Sequence, residues 1–328
     1  MPNSSPEAVP AHELQLLVDD VHARHADLNA GQVANYIPEL GLANPDDFGI
    51  CLVTADGRAF QAGDYDRPFT IQSISKPFTF GLVLDELGHE KVFEHVGVEP
   101  SGDAFNSIEL HGGTNRPFNP MINTGAITVT ALLHASHRER TFEHVLDRFS
   151  TLAGRPLSID EAVYDSERRT GHRNRAIAHL LLNFGLVHDH AEAALDVYFR
   201  QCSILVTTRD LAMMAASLSN MGRNPITGRQ VFSIHAVKHI LSIMFTCGMY
   251  DYSGQWAYRV GVPAKSGVGG GVMAVVNRQL GISTYSPRLD THGNSCRGIE
   301  ACVELAGRLG LHAFDCVNLG SSFLDALL

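Results

Sequence analysis

The sequence predicts an α/β fold of the α+β type: an antiparallel sheet built from both ends of the chain and flanked by helices, with an all-helical lobe inserted between the strand-bearing parts. Three observations predict it. A hairpin pattern lies near residue 50, helical periods dominate from about 73 to 246, and β patterning returns after about 258.

In chain order, residues 1 to about 11 are rich in Pro, Ser and Ala and read as a tail. Leu14, Leu17, Val18 and Val21 then recur at helical spacing. In "DFGICLVTADGRAFQAGD", Phe48, Ile50 and Leu52 alternate up to the turn pair Asp56-Gly57, which marks two antiparallel strands. Helical patterns follow, among them "FEHVLDRFSTLA", "RAIAHLLLNFG", "ALDVYFRQC" and "TTRDLAMMAASLSNMG", the last opened by a Thr cap with Asp210 behind it. Gly/Pro/Asn-rich loops separate them. After a helix near 234–246, "YRVGVPAKSGVGGGVMAVVNRQLGISTYSP" reads as strands divided by Gly- and Asn-containing turns, and a helix around 295–309 closes the pattern. The expected division is a sheet-bearing lobe from residues 1–72 plus 235–328, a helical lobe from 73–234 and a cleft between them, with 311–328 as a second tail. No internal repeat is present.

The bulk numbers suit one large enzyme domain. The chain has 328 residues, 45% hydrophobic and 18% charged, with a formal net charge of −10. That acidity argues against nucleic acid or an anionic membrane as partner, because no basic stripe is available to release counterions. Six cysteines without C-x-x-C spacing predict reduced, mostly buried thiols. The N-terminal stretch lacks the basic start and apolar run of a secretory signal, and no run of ~18 uncharged apolar residues occurs, so a cytoplasmic protein is expected.

The chemistry concentrates in "IQSISKPF", residues 71–78, where Ser73 and Lys76 stand one helical turn apart. A serine becomes a nucleophile when a base takes its proton, and lysine is such a base only when neutral. Its reference pKa of ~10.4 must therefore fall toward ~7–8 by burial or neighbouring cations. A hydroxyl in a first helical turn also places developing negative charge at the positive end of the helix dipole. Pro77 removes a backbone donor and biases Lys76 away from α geometry, which predicts an irregular first turn.

Farther on, "AKSGVGGG" at 264–271 places Lys265-Ser266-Gly267 in the manner of the K-T-G element that accompanies S-x-x-K in penicillin-recognising serine enzymes. A Gly-rich strand lets a backbone N–H approach a substrate oxygen closely. The S-D-N element of those enzymes is absent. His235 and His239 have the i, i+4 spacing of zinc ligands, but no H-E-x-x-H accompanies them, and no metal is expected. The G-x-S-x-G elbow is missing, and the glycines of "GVGGG" do not follow a dinucleotide-binding pattern.

The segments "NYIPEL", "IQSISKPF", "EPSG", "NPMINTGAI", "SERRTGHRN", "DVYFRQCSI", "CGMYDYSGQWA" and "GVPAKSGVGGG" stand in an order and spacing that resembles the serine-dependent glutaminases over about residues 14–310. That resemblance implies a β-lactamase-like fold, a cofactor-free hydrolysis of L-glutamine to L-glutamate and ammonia, and a homodimer or homotetramer. It implies Ser73 as acyl-enzyme nucleophile, Lys76 as its general base, Tyr250 as proton-transfer partner, and Val268 with Ser73 as oxyanion-hole donors. Tyr36, Gln72, Asn123, Glu167, Asn174 and Tyr198 would line the glutamine pocket. These residue types suit such a ligand: a carboxylate for its ammonium, amides and phenols for its carboxylate. Taken one at a time, each has a plainer reading. Asn123 could serve a turn, Glu167 a solvated charge cluster beside Arg168 and Arg169, and the tyrosines and Val268 packing. An esterase or penicillin-reactive hydrolase on the same scaffold, or an inactive glutamine-binding homologue, is the alternative function.

Overall fold

The computed structural model describes residues 11–102, 107–187 and 190–315. Nearly all of the first expected tail, most of the second, and Cys316 fall outside them. Helix α1 (Ala11–His25) buries Leu14, Leu17, Val18 and Val21, the four positions at helical spacing. Strands β1 (Gly49–Thr54) and β2 (Ala59–Gly63) form the hairpin, with Gly57 at φ 91 in its turn.

The helical stretch begins with α2 (Lys76–Leu87), followed by α3 (Asn123–His137), α4 (Thr141–Ala153), α5 (Glu161–Thr170), α6 (His172–Asn183), α7 (Ala191–Cys202), α8 (Thr208–Ser219) and α9 (Ile234–Cys247). The expected Thr cap is a full capping box, in which Thr207 and Asp210 satisfy each other's backbone N–H. Strands β3 (Ala264–Ser266), β4 (Gly271–Val276) and β5 (Leu280–Tyr285) return to the sheet before the closing helix α10 (Cys296–Leu309). All pairings in this sheet are antiparallel and its order is β2-β1-β5-β4-β3, so β1 and β5, from opposite ends of the sequence, lie side by side.

The alternation expected of β1 proves incomplete, because both faces of the sheet are covered. Phe48, Ile50 and Leu52 pack with α1 and α10, whereas Cys51 and Val53 pack with Ala212 and Ala216 of α8. Helix α8 can lie this close because the residues it turns to the sheet are small. A Cβ on Gly281 of β5 would sit 2.4 Å from the Ala216 nitrogen and 2.5 Å from the Ala212 oxygen. Smaller strands add local ties: Phe69–Thr70 and Ser158–Ile159 flank Ile204–Val206, and Gln32–Val33 pairs with Arg288–Leu289.

The loop between α1 and β1 is held by Arg297, which is 1% exposed. Its guanidinium donates to the carbonyls of Leu28 (2.9 Å) and Asp46 (3.1 Å) and to Asn29 Oδ1 (3.1 Å). This fixes both ends of the segment that carries Tyr36. The cysteines at 51, 202, 247, 296 and 302 are free thiols, and four of them are buried. Among the described residues no helix is long and apolar enough to cross a membrane.

Gly281→Ala is expected to lower stability by about 1–3 kcal/mol through overpacking against the α8 backbone. A urea midpoint that falls with an unchanged m-value checks this; a shift worth under ~0.5 kcal/mol would show that α8 can retreat from the sheet.

Candidate active site

The strand Phe69–Thr70 delivers the chain to a 3-10 turn over Gln72–Ser75, which runs directly into α2. Ile71 and Ile74 are fully buried, and Ile71 N–H donates to Ile204 O (2.8 Å). Those anchors hold Gln72 at φ 50, a left-handed conformation rare outside glycine that costs on the order of 1–3 kcal/mol. Ser75 Oγ donates back to Gln72 O (2.7 Å) and accepts from Gln201 of α7 (3.2 Å), which in turn accepts from Thr79 (3.0 Å). The turn is thereby bolted to α7. The irregularity expected from Pro77 falls one turn earlier, because Lys76 is helical (φ −58, ψ −49) and Pro77 occupies the first turn, where its missing N–H costs nothing.

Ser73 is 6% exposed and Lys76 1% exposed. The Lys76 amine donates to Asn123 Oδ1 (2.7 Å) and Met121 O (3.1 Å). Burial lowers its pKa to about 8, against the opposing pull of Cys202 and Glu167. Its two acceptors come from the loop entering α3. There Asn119 caps the Met121 N–H (2.9 Å), and a Cβ on Gly125 would lie 1.9 Å from Asn119 O, so only glycine allows this approach.

Asn123 is a hub. Besides the Lys76 bond, its Oδ1 accepts from Tyr198 Oη (3.3 Å) and its Nδ2 donates to Asn174 Oδ1 (3.0 Å). Glu167, on α5, is 9% exposed; burial pushes its carboxyl up to about 7, opposed by a hydrogen bond from the Gln72 side chain and by Lys76. Tyr198 is buried, and its phenol is held protonated by burial, Cys202 and Glu167. Tyr36 is 54% exposed as a residue, yet its hydroxyl is desolvated beside Glu167 and Tyr250, which raises its pKa well above the phenol range.

Tyr250 adopts φ 58, the second left-handed non-glycine residue of the cluster. Its hydroxyl donates to Ser266 O (3.0 Å) and makes a side-chain hydrogen bond with Ser73; burial raises its pKa far above the usual value. The loop from Gly267 to Gly270 packs on the segment before Ser73. A Cβ on Gly269 would be 2.8 Å from Thr70 O, and one on Gly267 3.0 Å from Ile71 O. Val268, 5% exposed, is thus brought beside the chain that carries Ser73.

All ten residues singled out in the sequence belong to this constellation: Ser73, Lys76, Asn123, Glu167, Tyr198 and Tyr250 at its centre, Tyr36, Gln72, Asn174 and Val268 around them. A 330 Å³ cavity opens on the far side of the Val268–Gly269 loop against Thr70 and Tyr285, and a 280 Å³ cavity behind Tyr250 reaches Met121 and Cys247. Neither lining includes Ser73 or Lys76. Sequence reasoning missed two contributors, Cys202 and the Met121 carbonyl, and read a third, Lys265, only as part of a K-T-G-like element. Cys202, with its pKa pushed to about 12 by burial, bonds with Tyr198 and Ser75. Lys265 is fully buried beneath Tyr250. The Met121 carbonyl carries no side-chain signal at all. Among the described residues no His, Cys, Asp or Glu completes a metal-ligand set with His235 and His239; His239 stacks on His89. Among the described residues the cluster with metal-ligand spacing is Glu86, His137 and His144, where each imidazole Nε2 already lies 2.8 Å from one Glu86 oxygen.

The pattern of the Glutaminase family matches residues 31–314. A glutaminase of Trichormus variabilis is 52% identical over 306 residues, spanning 93% of this chain and 92% of its own. One from Corynebacterium glutamicum is 46% identical over 301 residues, 91% of this chain and 72% of its own. Among solved structures, that of glutaminase ybaS superposes with a TM-score of 0.89 at 42% identity, covering 93% of this chain and 99% of its own. A Bacillus glutaminase structure gives 0.84 at 37% identity, covering 92% and 100%.

The Glu167 carboxyl titrates higher in the folded chain than the ordinary 4.5, so its contribution to stability is fully present below about 4.5 and is lost as pH rises through about 7. Glu167→Gln is therefore expected to be more stable than wild type at pH 8, by on the order of 3 kcal/mol, with the gain fading toward pH 4.5. Thermal melts of both proteins across that range check it; a variant less stable at pH 8 would show Glu167 to be ionised at no cost.

Proposed function

The chain belongs to the glutaminase family and has its β-lactamase-like fold; from that premise we propose that it hydrolyses L-glutamine to L-glutamate and ammonia through an acyl-enzyme on Ser73, with Lys76 as general base. The observation that carries the mechanism is the buried Lys76 amine with its two fixed acceptors. At a pKa of about 8 roughly a tenth of it is neutral at pH 7, against well under 1% for an ordinary lysine. A neutral amine has two N–H bonds and one lone pair. With Asn123 and Met121 taking the N–H bonds, the lone pair has one direction left, and Ser73 is on the same helical face.

Tyr250 is unsuited to be the base itself. Its phenol holds its proton far too tightly, and that proton is committed to Ser266 O. Its role is to accept a hydrogen bond from the Ser73 hydroxyl and orient it for transfer of the proton to Lys76, staying neutral throughout. Attack of Ser73 Oγ on the side-chain amide carbon passes the serine proton to Lys76. The resulting oxyanion lies against the N–H groups of Ser73 and Val268. Lys76 then returns the proton to the departing nitrogen, which leaves as ammonia. Water attacks the γ-glutamyl ester with Lys76 again taking a proton, and Ser73 recovers its hydrogen as glutamate departs.

The remaining residues suit the ends of the substrate. Glu167 meets the α-ammonium, whose charge offsets the burial that raises the Glu167 pKa. Asn174 has its oxygen occupied by Asn123, which leaves its Nδ2 to donate. That donor, with the phenols of Tyr36 and Tyr198, suits the α-carboxylate. We place the path of entry in the cleft between the helical lobe of residues 73–234 and the lobe formed by 1–72 and 235–328.

Ammonia release from glutamine tests the reading. Ser73→Ala and Lys76→Met are each expected to lose at least ~10³-fold in kcat. Wild-type protein that frees ammonia from no amino-acid amide would overturn it. Because Glu167 must be ionised to hold the ammonium and Lys76 must be neutral, log kcat/KM for glutamine should fall with a slope approaching two below about pH 7, and Glu167→Gln should have a kcat/KM low at every pH with the slope of one that Lys76 alone imposes.

A further inference from the structure

We propose that Lys265 is a positioning residue for Tyr250: its amine ties the carbonyls of Gly248 and Ser266 together beneath the phenol ring and so fixes where the Tyr250 hydroxyl meets Ser73. This rests on the roles given above to Ser73, Lys76 and Tyr250 and extends them to a residue outside the pocket.

Lys265 lies on β3 opposite Met273 and is 0% exposed. Its Nζ donates to Gly248 O (2.9 Å) and Ser266 O (2.7 Å) and lies 4.3 Å from the centre of the Tyr250 ring. Both acceptors bear on Tyr250. Ser266 O is the carbonyl that receives the Tyr250 hydroxyl, and Gly248 begins the turn in which Tyr250 takes its left-handed φ of 58. Ser266 N–H also donates to Gly248 O (3.2 Å), so the end of α9 is stitched to β3 twice. The two backbones touch: a Cβ on Gly248 would be 1.7 Å from Ala264 O. A strained residue stays where its surroundings over-determine it, and here the fastening is the lysine amine.

The groups facing Lys265 are Cys247 at the end of α9, Tyr250 in the turn and Lys76 on α2. Burial drives the proton off Lys265, Lys76 acts in the same direction, and only Cys247 opposes. With its Nζ donating to two backbone carbonyls, the part of Lys265 is mechanical.

Lys265→Met keeps the length and apolarity of the side chain and removes the two donors. Its kcat for glutamine is expected to fall about tenfold or more with KM within about threefold, while the acid limb of the kcat profile, set by Lys76, stays within ~0.3 of a pH unit. In the Tyr250→Phe background the same change should cost no more than about twofold, since the lysine acts through the phenol. A kcat within about twofold of wild type, a limb displaced to higher pH, a KM that rises with kcat unchanged, or additive losses in the double variant would each overturn the proposal. Should K265M not fold, Lys265→Gln, which offers a single amide donor group, carries the test: kcat should fall about threefold or more in the wild-type background and by no more than about twofold in Tyr250→Phe, and equal losses in both backgrounds overturn the proposal. A wild-type enzyme silent on glutamine defeats this proposal and the functional reading together, whereas an active wild type with an unaffected K265M defeats this one alone.

Discussion

Everything in the site depends on removing one amine from water. Lys76 begins a helix, as many surface lysines do, but here the helix starts inside the protein and the amine meets a side-chain amide and a backbone carbonyl rather than solvent. Desolvation of a cation is expensive, so this amine gives up its proton far more readily than an exposed lysine does. The same reasoning governs the neighbours. Glu167 and Lys265, buried in the same region, are both pushed toward their uncharged forms. Burial thus favours the uncharged form of each of these groups.

Geometry at this level of control needs a rigid frame. Gln72, next to Ser73 in the chain, and Tyr250, hydrogen-bonded to it, both sit at positive φ without being glycine. Two such residues cost on the order of 2–6 kcal/mol together, a large part of a domain's net stability. They persist because each is gripped on several sides: Gln72 by Ile71, Ile74 and the Ser75–Gln201–Thr79 chain, Tyr250 by Ser266 and Lys265. The antiparallel sheet supplies the foundation. Its central strands come from opposite ends of the sequence, so the loop bearing Val268 and the turn bearing Ser73 are brought together only when the whole chain has folded.

Much of this was legible in the sequence. Leu14, Leu17, Val18 and Val21 defined α1, Asp56-Gly57 marked the hairpin, and the spacing of Ser73 and Lys76 raised the chemical question. What periodicity could not show was how closely elements approach. The two-sided burial of β1 depends on small residues in α8 meeting Gly281, a match between segments far apart in the chain. The Met121 carbonyl, an essential acceptor for Lys76, has no residue-type signature. Cys202 read only as a buried thiol and Lys265 only as part of a strand motif, because neither residue reveals its neighbours until the fold is closed. The bias Pro77 imposes on its predecessor was visible, but the strain moved to Gln72, where buried isoleucines could hold it.

The central claim is that burial brings the pKa of Lys76 close to physiological pH, so that a usable fraction of the amine is a neutral base, and the pKa of that one amine tests it most directly. In protein carrying 13C at lysine Cε, the Lys76 resonance, assigned by its loss in Lys76→Met, should titrate with a midpoint of about 8. A midpoint near the ordinary lysine value of about 10.4 would contradict the account, because the amine beside Ser73 would then be an ammonium with no lone pair to offer.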